Sequence, residues 1–267
     1  MAIIEIKNIS KKFKQNVLYE NASLEIEAGK TIGIVGGNGT GKSVLFKLIT
    51  GLEFVDDGEI YVRNKKVGKN LDFPKNVGLF VNQPGYIDFY DGFTNLKLLA
   101  DIQRKIDDST IKEYMKRVGL DPDNRSRVKT YSSGMKQKLG IAQAIMENQD
   151  IILLDEPFNA LDFQTNVDVL KILSALKDEG KTLLLTSHQH EYLEKICDEI
   201  YIILDKKIVL FTDELKKSYF SVFEKWEILW IEGGNIHAKI SNLSNYNLKI
   251  RCKAIEWELD CFCYVKS

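Results

Sequence analysis

The stretch Gly36-Gly37-Asn38-Gly39-Thr40-Gly41-Lys42-Ser43 limits what this chain can fold into more than any other. It follows an apolar run, Thr31-Ile32-Gly33-Ile34-Val35, and precedes a helix-like segment, residues 44–50, that stops at Gly51. Strand, loop and helix in that order give the spacing G-x-x-x-x-G-K-[ST] its meaning as a phosphate-binding loop. Glycines let consecutive backbone N–H groups curl around an anion, and the helix N-terminus adds partial positive charge. Asn38, Gly39, Thr40 and Gly41 would line that cradle. Lys42 would reach the outer phosphates, and the Ser43 hydroxyl would ligate Mg²⁺.

A second constellation follows later, Ile151-Ile152-Leu153-Leu154-Asp155-Glu156-Pro157. Four apolar residues read as a strand buried on both faces, with two carboxylates at its C-terminal end. Asp155 is placed to hold Mg²⁺, usually through water. Glu156 is placed to polarise the water that attacks the terminal phosphate. Adjacent acids after a strand can also cap a helix; the phosphate loop upstream favours the catalytic reading. Residues 181–187 form another apolar strand ending at His188, on the same sheet edge, where a γ-phosphate contact is expected. A further strand, 77–82, ends at Gln83-Pro84-Gly85. In an open α/β sheet such strand ends face the ligand, although taken alone Gln83 also reads as a polar turn residue.

The remaining segments are organised around these. Residues 2–28 alternate apolar and polar side chains and read as short antiparallel strands. Phe13 in this region either stacks on an adenine base or is simply buried or exposed. From about 86 to 130 the pattern is helical: Leu96, Leu99 and Ile102 share a face, and Thr110-Ile111-Lys112-Glu113 resembles a capping box. Tyr131-Ser132-Ser133-Gly134 then opens an amphipathic helix carrying Met135, Leu139, Ala142 and Ile145. Its serines and glycine serve as an N-cap, or as a second anion site. Residues 164–178 read as a helix, and 199–204 with 207–211 as a hairpin. Beyond 216, Trp226-Glu227-Ile228-Leu229-Trp230 and residues 236–240, 248–252 and 254–264 are β-prone. Cys261-x-Cys263 lacks the C-x-x-C spacing of a zinc site and reads as strand packing.

The totals fit an ordinary soluble globular protein. Over 267 residues, 37 basic and 38 acidic side chains leave a net charge of −1, so no global field steers the chain to nucleic acid or anionic lipid. No run approaches the roughly 18 apolar residues of a spanning helix, and the N-terminus lacks signal-peptide order. Four cysteines in a chain this long are no disulfide framework, and a reducing cytosolic setting is expected.

Six motifs in order give the chain, over roughly residues 2–215, a resemblance to the ATP-binding cassette (ABC) family of ATPases. Residues 36–43 resemble the Walker A loop, Gln83 the Q-loop glutamine, and 131–135 the signature loop. Residues 151–156 resemble Walker B with its catalytic glutamate, Asn159-Ala160-Leu161-Asp162 the D-loop, and His188 the switch histidine. The resemblance implies an α/β fold: a P-loop NTPase (RecA-like) core with an antiparallel β subdomain and a helical subdomain at about 84–133. Residues 216–267 would form a small C-terminal β-rich extension. It implies that ATP and Mg²⁺ are bound, with Gln83 touching the metal and the attacking water. It also implies that Ser132 and Gly134 of a second cassette cover the γ-phosphate, in a homodimer or heterodimer. Two departures stand out. Ser133 and Met135 replace the usual glycine and glutamine of the signature. Val44 replaces a hydroxyl residue that reaches the α-phosphate, so weaker ground-state nucleotide binding is expected.

The resemblance further implies the ATPase subunit of a transporter, working on a separate membrane-spanning permease and sitting peripherally on the inner face of the cell membrane. The wording around 132–139 looks more like export than import. A soluble ABC ATPase of translation or DNA maintenance is the alternative. One cassette, no long coiled coil between Lys42 and Asp155, and no basic stripe weigh against it and against nucleic acid as a partner.

Overall fold

The computed structural model describes residues 2–68, 73–81, 85–159, 161–187, 190–216, 226–232 and 235–240. The chain divides into two units, Met1–Leu210 and Phe211–Ser267. In the first unit, β1 (Ala2–Phe13) and β2 (Asn16–Glu27) form a hairpin. β3 (Thr31–Val35) runs through the glycine loop into α1 (Lys42–Thr50). β4 (Asp57–Val62) and β5 (Lys65–Val67) return to the hairpin, and β6 (Val77–Phe80) precedes the helices α2 (Gly92–Gln103) and α3 (Asp108–Arg117). A 3-10 turn, Val128–Thr130, leads to α4 (Ser133–Ile145), then β7 (Ile151–Leu154), α5 (Phe163–Asp178), β8 (Thr182–Ser187) and α6 (His190–Glu194). β9 (Glu199–Leu204) and β10 (Lys207–Leu210) close the unit as the expected hairpin.

Two sheets result. The antiparallel one has the order β2-β1-β4-β5. Its alternation is the one the sequence carries: Ile4 pairs with Ile26 and Ile6 with Leu24, all buried, while Glu25 and Glu27 are exposed. The larger sheet has the order β10-β9-β3-β8-β7-β6, parallel from β9 to β6, with β10 antiparallel at one edge. Every residue of β3, β7 and β8 is buried. Runs without a polar face are what central parallel strands require, because both faces are covered. The α/β fold with an antiparallel β subdomain is therefore observed.

Strand β6 and helix α4 approach unusually closely. A Cβ on Gly78 would stand 1.8 Å from the Ala144 carbonyl oxygen, and one on Gly140 would stand 2.1 Å from the Phe80 ring. Only glycine permits such backbone contact between a strand and a helix. The signature-like helix is thereby held against the sheet edge.

One local expectation is corrected and another refined. The N-cap of α3 is Asp107, whose carboxylate accepts the Thr110 N–H at 2.8 Å, and not Thr110. The Thr110 backbone N–H, followed by the Thr110 and Ser109 hydroxyls, holds the Asp107 carboxyl at about 2, and a charged acceptor makes the stronger cap. In α2 the three residues expected to share a face differ in cover: Leu96 is buried, whereas Leu99 and Ile102 are exposed.

In the second unit, β11 (Trp226–Glu232) and β12 (Asn235–Ile240) pair as an antiparallel hairpin, with Ile231 opposite Ile236. The β-prone stretches 248–252 and 254–264, with Cys261 and Cys263, lie outside the described residues.

Candidate active site

The glycine loop joins the end of β3 to the start of α1. Gly41 is the N-cap of α1, at φ 106°, a left-handed conformation that glycine adopts without a Cβ penalty. The turn directs the first N–H groups of α1 out of the helix, where they favour an anion. Tyr19 of β2 secures the loop from behind. Fully buried, its hydroxyl donates to the Gly41 carbonyl at 2.8 Å. Within the loop, Thr40 Oγ1 donates to the Gly37 carbonyl at 2.9 Å.

Lys42 is buried, and its ammonium donates to the Gly36 and Gly37 carbonyls at 2.7 and 3.2 Å. It also lies 3.4 Å from Glu156 Oε1. The lysine after β3 and the carboxylate after β7 therefore meet at one end of the sheet, 114 positions apart in sequence (156 − 42). Ser43 and Val44, the next residues of α1, are half-buried, and Val44 packs against the core.

The two consecutive carboxylates are held differently. Asp155 continues the ladder beyond β7, its N–H donating to the Phe80 carbonyl at 2.8 Å. Asp155 is 1% exposed; its Oδ1 accepts the Thr186 hydroxyl at 2.6 Å, and its Oδ2 is buried without a hydrogen-bond partner among the described residues. Leaving a carboxylate oxygen in that condition costs free energy, on the order of 1–3 kcal/mol or more for a charged group. A hard cation satisfies it. Glu156 stands at φ 50°, where a residue with a Cβ is strained by roughly 1–2 kcal/mol. Its N–H donates to Thr186 Oγ1 at 2.8 Å, and its carbonyl accepts from Gln137 Nε2 at 3.4 Å.

Other expected site residues are placed apart from this group. Ser132 is the N-cap of α4, its Oγ accepting the Met135 N–H at 3.2 Å, and Ser132 and Ser133 are exposed. A Cβ on Gly134 would stand 2.8 Å from Thr165 of α5, and Thr165 in turn is bonded to Asp162 through its N–H and hydroxyl. Phe13 sits at the end of β1 opposite Asn16, 42% exposed, with the Lys11 ammonium 4.8 Å from the ring centroid. Gln83 and His188 lie outside the described residues. Tyr19, Thr186 and Gln137 escaped sequence reasoning, being respectively a strand aromatic, an interior strand position and a helix residue with no motif of their own.

Oxygen donors suited to a hard cation, a buried ammonium and a strand-loop-helix anion cradle form a site for phosphoryl chemistry. Among the described residues no group of three or more His, Cys, Asp or Glu comes together.

Comparison with known proteins points the same way. The model of the ABC transporter family matches residues 19–159. The chain is 40% identical over 196 residues, 73% of its length and 90% of the relative's, to the uncharacterized ABC transporter ATP-binding protein YybJ of Bacillus subtilis (strain 168). It is 31% identical to the bacitracin transport ATP-binding protein BcrA of Enterococcus faecalis, covering 92% of this chain and 80% of that one. It is also 31% identical to the methionine import ATP-binding protein MetN of Clostridium tetani (strain Massachusetts / E88), covering 97% and 86%. Among solved structures, the bacterial ABC transporter cassette MJ0796, a dimer, superposes with a TM-score of 0.69 at 25% identity, covering 77% of this chain and 96% of that one.

Proposed function

Because the chain belongs to the ABC transporter family, as an ATP-binding subunit that hydrolyses ATP for transport, we propose that it drives export through a separate membrane-spanning permease. Residues 1–215 are assigned to the cassette, with its helical subdomain at about 84–133, and residues 216–267 to an accessory extension.

The observation that carries the site assignment is the meeting of Lys42 with Glu156 at 3.4 Å, next in sequence to Asp155, whose Oδ2 is buried without a hydrogen-bond partner among the described residues. Residues 38–44 and Lys42 bind the phosphates of ATP, with backbone N–H groups standing in for the hydroxyl that Val44 lacks. Phe13 would take the adenine on its exposed face. Ser43, Gln83 and Asp155 would hold Mg²⁺. When bound, the ion supplies charge neutralisation at the β- and γ-phosphates. Glu156 accepts the proton of the attacking water, with Gln83 and His188 assisting at the γ-phosphate. Ser132 and Gly134 of a second cassette would cover the outer side of that phosphate.

A permease is supported by a groove of about 540 Å³ remote from Lys42, lined by β6, α2 and α4. Leu98, Leu99, Ile102 and Ile87 stand exposed along it, an apolar surface of the kind that marks a protein contact. The spanning part is assigned to that partner; among the described residues no helix is long and apolar enough to cross a membrane. On this reading the chain would sit at the inner face of the cell membrane. Export rests on the wording of residues 132–139. The relatives include a methionine import protein, so direction is decided by experiment. With the partner in vesicles, Lys42→Ala is expected to abolish ATP hydrolysis and the movement of substrate away from the cassette side. Unchanged turnover in the variant would overturn the site, and movement toward the cassette side in the parent protein would overturn export.

A further inference from the structure

Thr186 lies on β8, between β3, which leads into the glycine loop, and β7, which ends at the two carboxylates. It is 0% exposed, and one oxygen serves two partners. The hydroxyl donates to Asp155 Oδ1 at 2.6 Å and accepts the Glu156 N–H at 2.8 Å. A hydroxyl has one proton and two lone pairs, so this pair of bonds fixes its rotor completely. Committing Oδ1 leaves Oδ2 as the carboxylate oxygen still able to take a ligand, and Oδ2 is buried without a hydrogen-bond partner among the described residues. Accepting the Glu156 N–H pins the backbone at a catalytic position whose φ of 50° is strained. Valine would fill nearly the same volume and do neither.

We propose that Thr186 is a positioning residue that orients both carboxylates through one hydroxyl, turning Asp155 Oδ2 toward Mg²⁺ and fixing the turn that aims Glu156. The inference rests on the roles assigned above to Asp155 and Glu156. A purely structural threonine and a positioning one differ in what the hydroxyl changes. Loss of mere packing weakens nucleotide binding with or without metal, whereas loss of orientation removes the contribution of the metal alone.

The test compares Thr186→Val and Thr186→Ser with the parent protein, using Asp155→Asn as the control for the site. Calorimetry gives the affinity for a non-hydrolysable ATP analogue in EDTA and in Mg²⁺, and turnover is measured alongside. Thr186→Val is expected to bind the analogue in EDTA within about twofold of the parent. It should lose about tenfold or more of the Mg²⁺ enhancement and of kcat, as mutations of groups that orient metal ligands do. Thr186→Ser should restore both. Should the valine variant fail to fold, Thr186→Ala carries the same expectations. The role of Thr186 is overturned if the hydroxyl-free variant keeps its Mg²⁺ enhancement and kcat while Asp155→Asn loses them. It is equally overturned if the EDTA affinity falls as far as the Mg²⁺ affinity. If Asp155→Asn itself retains the enhancement, the site assignment fails instead.

Discussion

Tyr19 shows how a single side chain far from any motif sets the phosphate loop. Its ring lies 3.1 Å from where a Gly41 Cβ would stand, and its hydroxyl holds the Gly41 carbonyl. Burial pushes the phenol far above its ordinary range, so it remains a donor at any working pH. Tyr19→Phe keeps the ring and removes the bond. The expected loss is about 1 kcal/mol in urea unfolding, with a few-fold weaker affinity for ATP. A variant as stable as the parent would show that the bond contributes nothing. The residues of 36–43, Asp155 and Glu156 were legible because the loop donors are consecutive and the acids follow an unmistakable buried strand. Tyr19 and Thr186 were not. They act across 22 and 31 positions, and no spacing rule states which strands become neighbours.

At the scale of elements, the contact of β6 with α4 is set by two glycines, Gly78 against the Ala144 carbonyl and Gly140 against the Phe80 ring. A methyl group on residue 78 would meet a backbone carbonyl, which has no rotamer to change. Helix and strand would have to separate, and Gly78→Ala is expected to cost roughly 1–3 kcal/mol or more by denaturant unfolding. Unchanged stability would mean that α4 yields freely. The existence of these elements was readable from periodicity; their ends and exposed faces were less so. At the start of α3 the run Asp107-Asp108-Ser109-Thr110 offers four capable caps, and the first wins with a charged acceptor. Along α2, an apolar stripe at helical spacing gave the face but not what covers it, since Leu99 and Ile102 line the groove.

For the whole molecule, the dimeric state of the similar MJ0796 cassette makes association the property to test, and Ser132 and Ser133 stand exposed. Glu156→Gln retains the shape of the site and removes the base. With ATP and Mg²⁺ it is expected to move from monomer to dimer on gel filtration, and to remain monomeric with ADP. A monomer under both conditions would count against a nucleotide sandwiched between two copies. The sheet order carries one more implication. Since β8 separates β3 from β7, the strand that leads into the glycine loop and the strand that ends at the two carboxylates stand two hydrogen-bonded spacings apart, about 10 Å. The backbone cannot change that width by degrees, because strand spacing comes in whole steps. The sheet thus sets a fixed baseline under the site, and the fit to a phosphate is left to the glycine loop and to the side chains that reach across.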